Sequence, residues 1–212
     1  MATPTSSTTK SPSVLTVIWQ QILATTALEW LAVVLALAYL ILAIREHIAC
    51  WVAGFLSNAI YLYLFWQSRL VSEAILQIFY MGLAVFGFWR WWHGQDAKHK
   101  HKPIVTWPLQ KHVVLILATA VVSMLWGHWV ATHVDAAYPY LDALTTGFAI
   151  TTTWLVAEKV LENWIYWFVI DATSIWLYLQ RDLWLTALLF TLYVVMCIIG
   201  WRSWRRAQEN QG

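Results

Sequence analysis

The chain has 212 residues, of which 60% are apolar, 16% aromatic and only 11% charged. A soluble domain needs about 25% charged residues to cover its surface, so the composition excludes an ordinary soluble globular protein. The net charge of +2 gives no basic footprint for nucleic-acid binding. The seventeen tryptophans indicate a protein embedded in lipid, because indole rings favour the boundary between acyl chains and headgroups.

The first 27 residues predict a tail and an interfacial segment ahead of the membrane domain. Residues 1–13 are rich in Ser, Thr and Pro and are expected to be disordered. Residues 14–24 are interrupted by Gln20 and Gln21, and they lack the basic start and cleavage site of a signal peptide. We therefore expect an interfacial helix that leads into the first membrane span.

Seven segments are long and apolar enough to cross a bilayer, which takes about 20 residues of helix. The longest connection, residues 92–111, is basic and contains His99 and His101 without a third metal ligand nearby, so a solvated loop is favoured over a metal site. Cys50 and Cys197 lie in apolar segments and predict buried thiols without a disulfide. The seven predicted spans are residues 28–44, 48–66, 72–91, 112–130, 141–157, 161–180 and 184–201.

Lysine and arginine fall mainly on one side of these spans. Of the 13 basic residues, only Lys10, Arg69 and Arg181 lie on the other side. Because cytoplasmic loops carry the excess of Lys and Arg, the N-terminus is predicted outside the cell and the C-terminus in the cytoplasm.

An internal repeat appears when residues 28–92 are aligned with residues 141–205 by a shift of 113 positions. Chance alignment of leucine-rich segments would not match rare residue types in this way. The matched pairs include Trp51 with Trp164, Phe55 with Phe168, Gln67 with Gln180, Tyr80 with Tyr193, Gly87 with Gly200, Trp91 with Trp204, Glu29 with Asp142, and Asn58 with Asp171.

The repeat predicts an all-α integral membrane fold. Seven transmembrane helices form two parallel three-helix repeats, and the extra fourth helix joins them and restores the direction of the second. The expected divisions are a tail and interfacial segment at 1–27, repeats at 28–92 and 141–205, a basic loop with the linker helix at 93–140, and a C-terminal tail at 206–212. Such repeats are typical of transporters; a structural duplication without transport is the alternative.

The sixth predicted span carries a polar and aromatic stripe on one helical face. An ionised Asp171 near the bilayer centre costs about 2.5–3.5 kcal/mol or more, and no Lys or Arg lies at comparable depth in any span. Hydroxyl groups, water, a proton or a cationic ligand remain as partners. The stripe is Trp164, Trp167, Asp171, Ser174 and Tyr178, at i, i+3, i+7, i+10 and i+14.

The first repeat supplies a similar but unequal wall. Aromatic faces attract a delocalised cation by about 0.5–2 kcal/mol each, and Asn or Gln side chains hydrogen-bond ribose-like hydroxyls. The site is therefore expected to suit a flat cationic ring joined to a hydroxyl-bearing group. Its candidates are Trp51, Gly54, Asn58, Tyr61 and Phe65 from the second span, Glu73, Gln77 and Tyr80 from the third, and Phe190 and Tyr193 from the seventh.

Simpler interpretations of these residues stay open. The stripes are also compatible with helix packing, and Trp51, Trp91, Trp164 and Trp204 with interface anchors. Ser174 is able to bond its own helix backbone. Glu29 and Asp142 lie at helix starts, where an acid interacts favourably with the helix dipole.

At these residues the sequence resembles the PnuC family of vitamin transporters, whose best-known members carry nicotinamide riboside. The resemblance covers about residues 28–205 and rests on residues 51–65, Leu76 to Tyr80, Gly87, Trp91, Glu162 to Trp164, the pattern Trp167-x3-Asp171-x2-Ser174, and Gly200. It implies a three-plus-one-plus-three helix fold like that of the SWEET sugar transporters. It also implies facilitated diffusion, with the vitamin trapped inside by a cytoplasmic kinase.

One residue departs from the family pattern. Carriers of nicotinamide riboside often have Asn where this chain has Asp171. Thiamine, which relatives of the same fold carry, is also a cation and stays the alternative substrate, and a proton-coupled carrier that uses Asp171 stays open. We expect no cofactor or metal ion, and both a monomer and a homo-oligomer remain compatible with the sequence.

Two other functional classes are excluded. A retinal protein needs a lysine in its last helix for the Schiff base, and residues 184–201 contain none. An intramembrane enzyme needs a nucleophile with its base or a metal cluster. The histidines at or near the spans, His47, His112 and His128, do not fall at ligand spacing.

Overall fold

The computed structural model describes residues 13–69, 71–94, 102–134 and 138–211. The described residues are α-helical apart from short connections and one isolated β-bridge. The helices are α1 (Val14–Ala24), α2 (Ala27–Ile44), α3 (Ala49–Gln67), α4 (Val71–His93), α5 (Leu109–His133), α6 (Pro139–Ala157), α7 (Asn163–Gln180) and α8 (Trp184–Glu209).

The first two helices begin at residues that satisfy free backbone N–H groups. The Ser13 side chain accepts a hydrogen bond from the Thr16 amide at the start of α1. At α2, Thr26 and Glu29 form a reciprocal capping box, each side chain accepting from the other's backbone N–H. The prediction that Glu29 acts at a helix start is confirmed.

Five helices among the described residues are long and apolar enough to cross a membrane: α2, α3, α4 from Glu73, α5 and α8. The other two predicted spans, α6 and α7, have 19 and 18 residues and similar length. They are less apolar because they carry several threonines and the buried Asn163 and Asp171. The molecule is an α-helical membrane protein.

The helices pack as two groups that touch each other in two places. α3 packs between α2 and α4, and α7 packs between α6 and α8. Across the groups, α4 packs on α6 and α8 packs on α2. α5 packs on α6, and α1 packs on α8. α6 therefore has three helical neighbours, which shelter its polar side chains.

A cluster of four tryptophans joins the two groups at the end where α3 and α7 begin, called here the basic end. Trp51 meets Trp91 edge to face at 5.5 Å between ring centroids, and Trp164 meets Trp204 at 5.5 Å. The Trp91 Nε1–H donates to the Val156 carbonyl at 3.3 Å. All four rings are buried, at 0–4% exposure, so they are core residues and not interface anchors.

A second indole bond crosses the same boundary. The Trp204 Nε1–H donates to the Ala43 carbonyl at 2.9 Å, in the reverse direction across the boundary. Both carbonyls lie in the last turns of their helices, α2 and α6, and each also accepts a main-chain N–H, from Glu46 and Lys159 respectively. The indoles therefore use the second acceptor position of each carbonyl and join the two groups.

Ion pairs surround the tryptophans at the basic end. Lys159, only 1% exposed, donates to Glu46 at 2.8 Å, and its ammonium lies 4.6 Å from the Trp91 ring centroid. Glu158 accepts hydrogen bonds from Arg90 and Lys102. Burial favours the neutral acid, but these bonds outweigh it and hold the pKa of Glu158 below its ordinary value. Burial also lowers the pKa of Lys102, against the opposing bond to Glu158.

The connection before α5 runs along the basic end and contacts the last turns of α8. Val105 forms a parallel bridge with Val160, and the Gln208 side chain donates to the Ile104 carbonyl at 3.4 Å. These contacts explain why α8 continues to Glu209, beyond the start of the tail expected at residue 206. His99 and His101 lie outside the described residues.

The close approach of helix backbone to indole predicts opposite effects for two glycine substitutions. A Cβ at Gly200 would lie 2.6 Å from Trp164 ring atoms, whereas nothing lies within 4 Å of a Cβ at Gly82. Overpacking at Gly200→Ala is expected to reduce the unfolding free energy by about 1–3 kcal/mol. Gly82→Ala is expected to leave it unchanged or raise it by up to about 1 kcal/mol, through helix propensity. Thermal unfolding in detergent measures both, and equal melting temperatures for the two variants would contradict the packing.

Candidate functional site

Asp171 lies in the middle of α7 and is 4% exposed. The Cys197 thiol on α8 donates to its Oδ2 at 3.6 Å. The six ion pairs that the described residues form do not include Asp171. A thiol is a weak donor and leaves most of the acceptor capacity of a carboxylate unused. Asp171 is therefore a buried acid that forms no ion pair with any described residue.

Three tyrosines lie in the electrostatic neighbourhood of this acid: Tyr80, Tyr178 and Tyr193. Tyr178 and Tyr193 both pack on Phe190, with ring centroids 5.0 and 5.4 Å apart. α4, α7 and α8 thus each supply a tyrosine to the region of the carboxylate.

Ser174 lies one turn beyond Asp171 and is 7% exposed. The alternative that its hydroxyl bonds its own helix is not seen: such bonds form at the neighbouring Thr173 but not at Ser174. Within the described part of the chain the Ser174 hydroxyl has no protein partner, so it stays available to a ligand.

The first half contributes amide groups that are equally free. Asn58 on α3 and Gln77 on α4 are partly buried, and neither side chain bonds to any residue that the structure describes. Tyr61 stacks on Phe65 at 5.7 Å.

Trp51 and Trp164 lie deeper than the other candidates. Both are 2% exposed, and added Cβ atoms at Gly87 and Gly200 would clash with their rings. Their Nε1–H groups are buried and have no hydrogen-bond partner among the described residues. Trp167 is partly buried and packs at the edge of the same core. The structure thus places Trp51 and Trp164 inside the packed core and Trp167 at its margin.

Other polar clusters and surface grooves do not compete with this site. His112 Nδ1 lies 2.9 Å from the Tyr166 hydroxyl, and His112 Nε2 lies 3.6 Å from Glu162. The described residues hold no group of three metal ligands. Two apolar grooves lie on the outer surfaces of α4 and of α2 with α3, lined almost wholly by aliphatic and aromatic carbon. Such grooves suit lipid chains.

The comparisons with known proteins point to one family. The family described as "Nicotinamide mononucleotide transporter" matches residues 26–206. The chain belongs to this family of PnuC transporters. It is 21% identical to the nicotinamide riboside transporter PnuC of Escherichia coli (strain K12), over 87% of this chain and 89% of that protein.

Two further relatives extend the comparison. The riboflavin/roseoflavin transporter RibM of Streptomyces davaonensis is 24% identical over 81% of each chain. The crystal structure of the vitamin B3 transporter PnuC superposes with a TM-score of 0.72, at 18% identity, covering 94% of this chain and 91% of that one. The relatives are transporters and not enzymes, and this PnuC-family chain is a multi-pass membrane protein.

One side chain beside Asp171 in this PnuC-family protein was not among the predicted site residues. Cys197 was expected only to be a small buried thiol, yet it is the one protein donor to Asp171 within the described residues. Its spacing held the signal, because Tyr193, Cys197, Gly200 and Trp204 fall on one face of α8.

Because no described residue supplies a cation to Asp171, we predict that its ionised carboxylate destabilises the ligand-free protein. Asp171→Asn is expected to raise the unfolding free energy of the ligand-free protein by about 1–3 kcal/mol, because a buried charge with poor partners is removed. Asp142→Asn is the matched control: Asp142 is paired with Arg181 at 2.8 Å and is partly exposed, so its loss should cost at most about 1 kcal/mol. Thermal unfolding without ligand compares them, and a destabilised Asp171→Asn would refute the idea.

Proposed function

We propose that this protein carries nicotinamide riboside across a bacterial inner membrane by facilitated diffusion. The observation that carries the proposal is the buried carboxylate of Asp171, which lacks a cationic partner among the described residues and has tyrosines in its electrostatic neighbourhood. A pyridinium ring supplies the missing positive charge and a flat face for those rings. The ribose hydroxyls match the free groups of Asn58, Gln77 and Ser174.

The proposed architecture has seven membrane spans in two parallel three-helix repeats, with α5 as the linker. Support comes from contacts related by the 113-residue shift. The Trp51–Trp91 and Trp164–Trp204 contacts correspond, as do the two indole bonds to carbonyls. Left-handed residues also recur, Glu46 with Lys159 and Arg69 with Asp182, all at φ of 55–58°. α6 and α7 count as spans because neighbouring helices shelter their polar residues.

The mechanism follows from where the two repeats touch. The pyridinium would bind among Trp167, Trp164 and the tyrosines, with Asp171 balancing its charge. The tryptophan cluster would close the site at the basic end, which we place in the cytoplasm because lysine and arginine concentrate there. Rocking of one repeat against the other would open the two sides in turn.

Facilitated diffusion requires a sink for the vitamin inside the cell. Phosphorylation by a cytoplasmic kinase would supply it, because the phosphorylated product carries charge that the site does not match. Thiamine is the second candidate substrate, since it is also a cation and Asp171 favours any cation. Proton coupling through Asp171 is the alternative energy source for the same site.

The charge-balance role predicts a specific pattern of binding. Isothermal titration would compare nicotinamide riboside, its reduced uncharged form and thiamine on the wild type and Asp171→Ala. Loss of the carboxylate is expected to weaken binding of the cation about 30-fold or more, while the uncharged form changes little. Asp142→Asn serves as the control and should bind as the wild type does.

Two results would change the assignment. Equal losses for the charged and the uncharged form would make Asp171 a structural residue. Tight binding of thiamine alone would replace the substrate and leave the charge mechanism in place.

The energy source is tested by uptake into vesicles that contain no kinase. With the membrane potential held at zero, facilitated diffusion predicts that nicotinamide riboside reaches the same concentration on both sides and that an imposed pH gradient does not alter this end point. A gradient-driven accumulation above the outside concentration that is lost in Asp171→Asn would establish proton coupling instead. If transport is facilitated diffusion, kinase and ATP added inside the vesicles should raise total uptake even when no proton gradient is imposed.

A further inference from the structure

The two halves of the site differ in which helix supplies the large aromatic ring. On α3 the position aligned with Trp167 is Gly54, which has no side chain. On α2 the position aligned with Thr152 of α6 is Tyr39. A small residue and a large one have thus changed places between the halves: Tyr39 with Gly54 in the first, Thr152 with Trp167 in the second.

The structure shows that Tyr39 occupies the space that Gly54 leaves. A Cβ at Gly54 would lie 3.0 Å from Cδ2 of Tyr39, 3.5 Å from Cε2 and 3.6 Å from Cγ, so the ring lies across the glycine. Tyr39 also meets Trp51 edge to face, with centroids 6.0 Å apart. Its position is fixed by these two contacts.

In the other half, the corresponding position on α6 holds a small side chain. Thr152 is fully buried, and its hydroxyl donates to the Phe148 carbonyl of its own helix at 2.6 Å. This short, internally bonded side chain takes no part in a wall, and the bulk comes instead from Trp167 on α7. Each half therefore supplies one large ring, and the two rings are not equivalent.

Tyr39 also lies against the candidate wall of the first half, because Gly54 and Trp51, which it contacts, both belong to that wall. The Tyr39 hydroxyl has no hydrogen-bond partner among the residues that the structure describes. A phenol oxygen in this position is free to bond a ligand.

We propose that Tyr39, seated on Gly54, is a specificity-determining wall residue that limits the size of the ring system the site accepts. With Trp167 it defines a slot wide enough for a single aromatic ring and too narrow for a fused tricyclic ring. The proposal rests on the proposed function, because it takes a ring-bearing vitamin as the substrate. It gives one residue a role in separating single-ring vitamins from flavins, a class carried by a relative of the same family.

The test is a binding panel on the full-length purified protein. Nicotinamide riboside, thiamine and riboflavin would be titrated against the wild type, Tyr39→Thr, Tyr39→Phe and Gly54→Ala. Tyr39→Thr copies the residue found at the aligned position 152. Tyr63→Thr is the matched control, since Tyr63 lies on α3 and is 54% exposed.

The expected results differ for each variant. The wild type binds a single-ring vitamin and not riboflavin. Tyr39→Thr weakens that binding by about tenfold through the lost aromatic contact and gains measurable riboflavin binding. Gly54→Ala moves the Tyr39 ring toward the slot and weakens the single-ring vitamin without admitting riboflavin. Tyr39→Phe keeps the size limit, and Tyr63→Thr matches the wild type.

Each contrary result has a distinct meaning. Unchanged ligand preference in Tyr39→Thr would overturn the role of Tyr39 and leave the proposed function in place. Wild-type binding of thiamine alone would replace the substrate, while riboflavin binding gained in Tyr39→Thr would still support the size limit. Wild-type binding of riboflavin, or of none of the three, would overturn both. If Tyr39→Thr does not fold, unaltered affinity in Gly54→Ala decides against the proposal.

Discussion

The two hydrogen bonds from tryptophan to main-chain carbonyl hold the molecule together where its halves meet. Trp91 bonds Val156, and Trp204 bonds Ala43. Each of these carbonyls also accepts a main-chain N–H, so the indole occupies its second acceptor position. The indoles also contribute large apolar surface to the core. The closely packed glycines, the Lys159–Glu46 ion pair and the basic-end connection are all arranged around this contact.

The polar groups of the candidate site differ between the two halves of the chain. A symmetric pair of walls would suit a symmetric ligand, but here an amide at Asn58 is aligned with a carboxylate at Asp171. The carboxylate is buried beside only a thiol, so charge is stored on one side of the site. Hydroxyl and amide groups without protein partners lie on both sides. The polar groups of the protein thus form a partly unsatisfied set that a ligand with one cationic ring and several hydroxyls is able to complete.

Much of the fold followed from hydrophobic length and periodicity. The helix bounds of the membrane domain agree with the predicted spans to within three residues, except at the end of α8. The buried acid and its aromatic neighbours were also predictable, since a helical stripe brings residues of one segment together. The bonds of Trp204 to Ala43 and of Cys197 to Asp171 were not. They join residues 161 and 26 positions apart, and no local pattern encodes how two helices turn toward each other.

The same limit applies to Tyr39. Its importance depends on the missing side chain of Gly54, a residue on the next helix, and the repeat hides it because the bulky residue moved to another helix. Comparing the halves by residue type alone finds positions that stayed alike. Finding compensating exchanges requires knowing which side chains touch.

The short helix α1 gives the molecule a connection to its surroundings. Gln21 donates to the Asp182 carbonyl and accepts from the Leu185 amide, at 3.1 and 3.0 Å. Because the Gln21 side chain bonds both the α7–α8 turn and the start of α8, a tilt of α8 would move α1 as well. The outer surface of α1 exposes Leu15, Trp19 and Leu23, which are side chains that embed among lipid headgroups. In the rocking mechanism proposed above, the stiffness and packing of the surrounding lipid would therefore oppose the movement of α8.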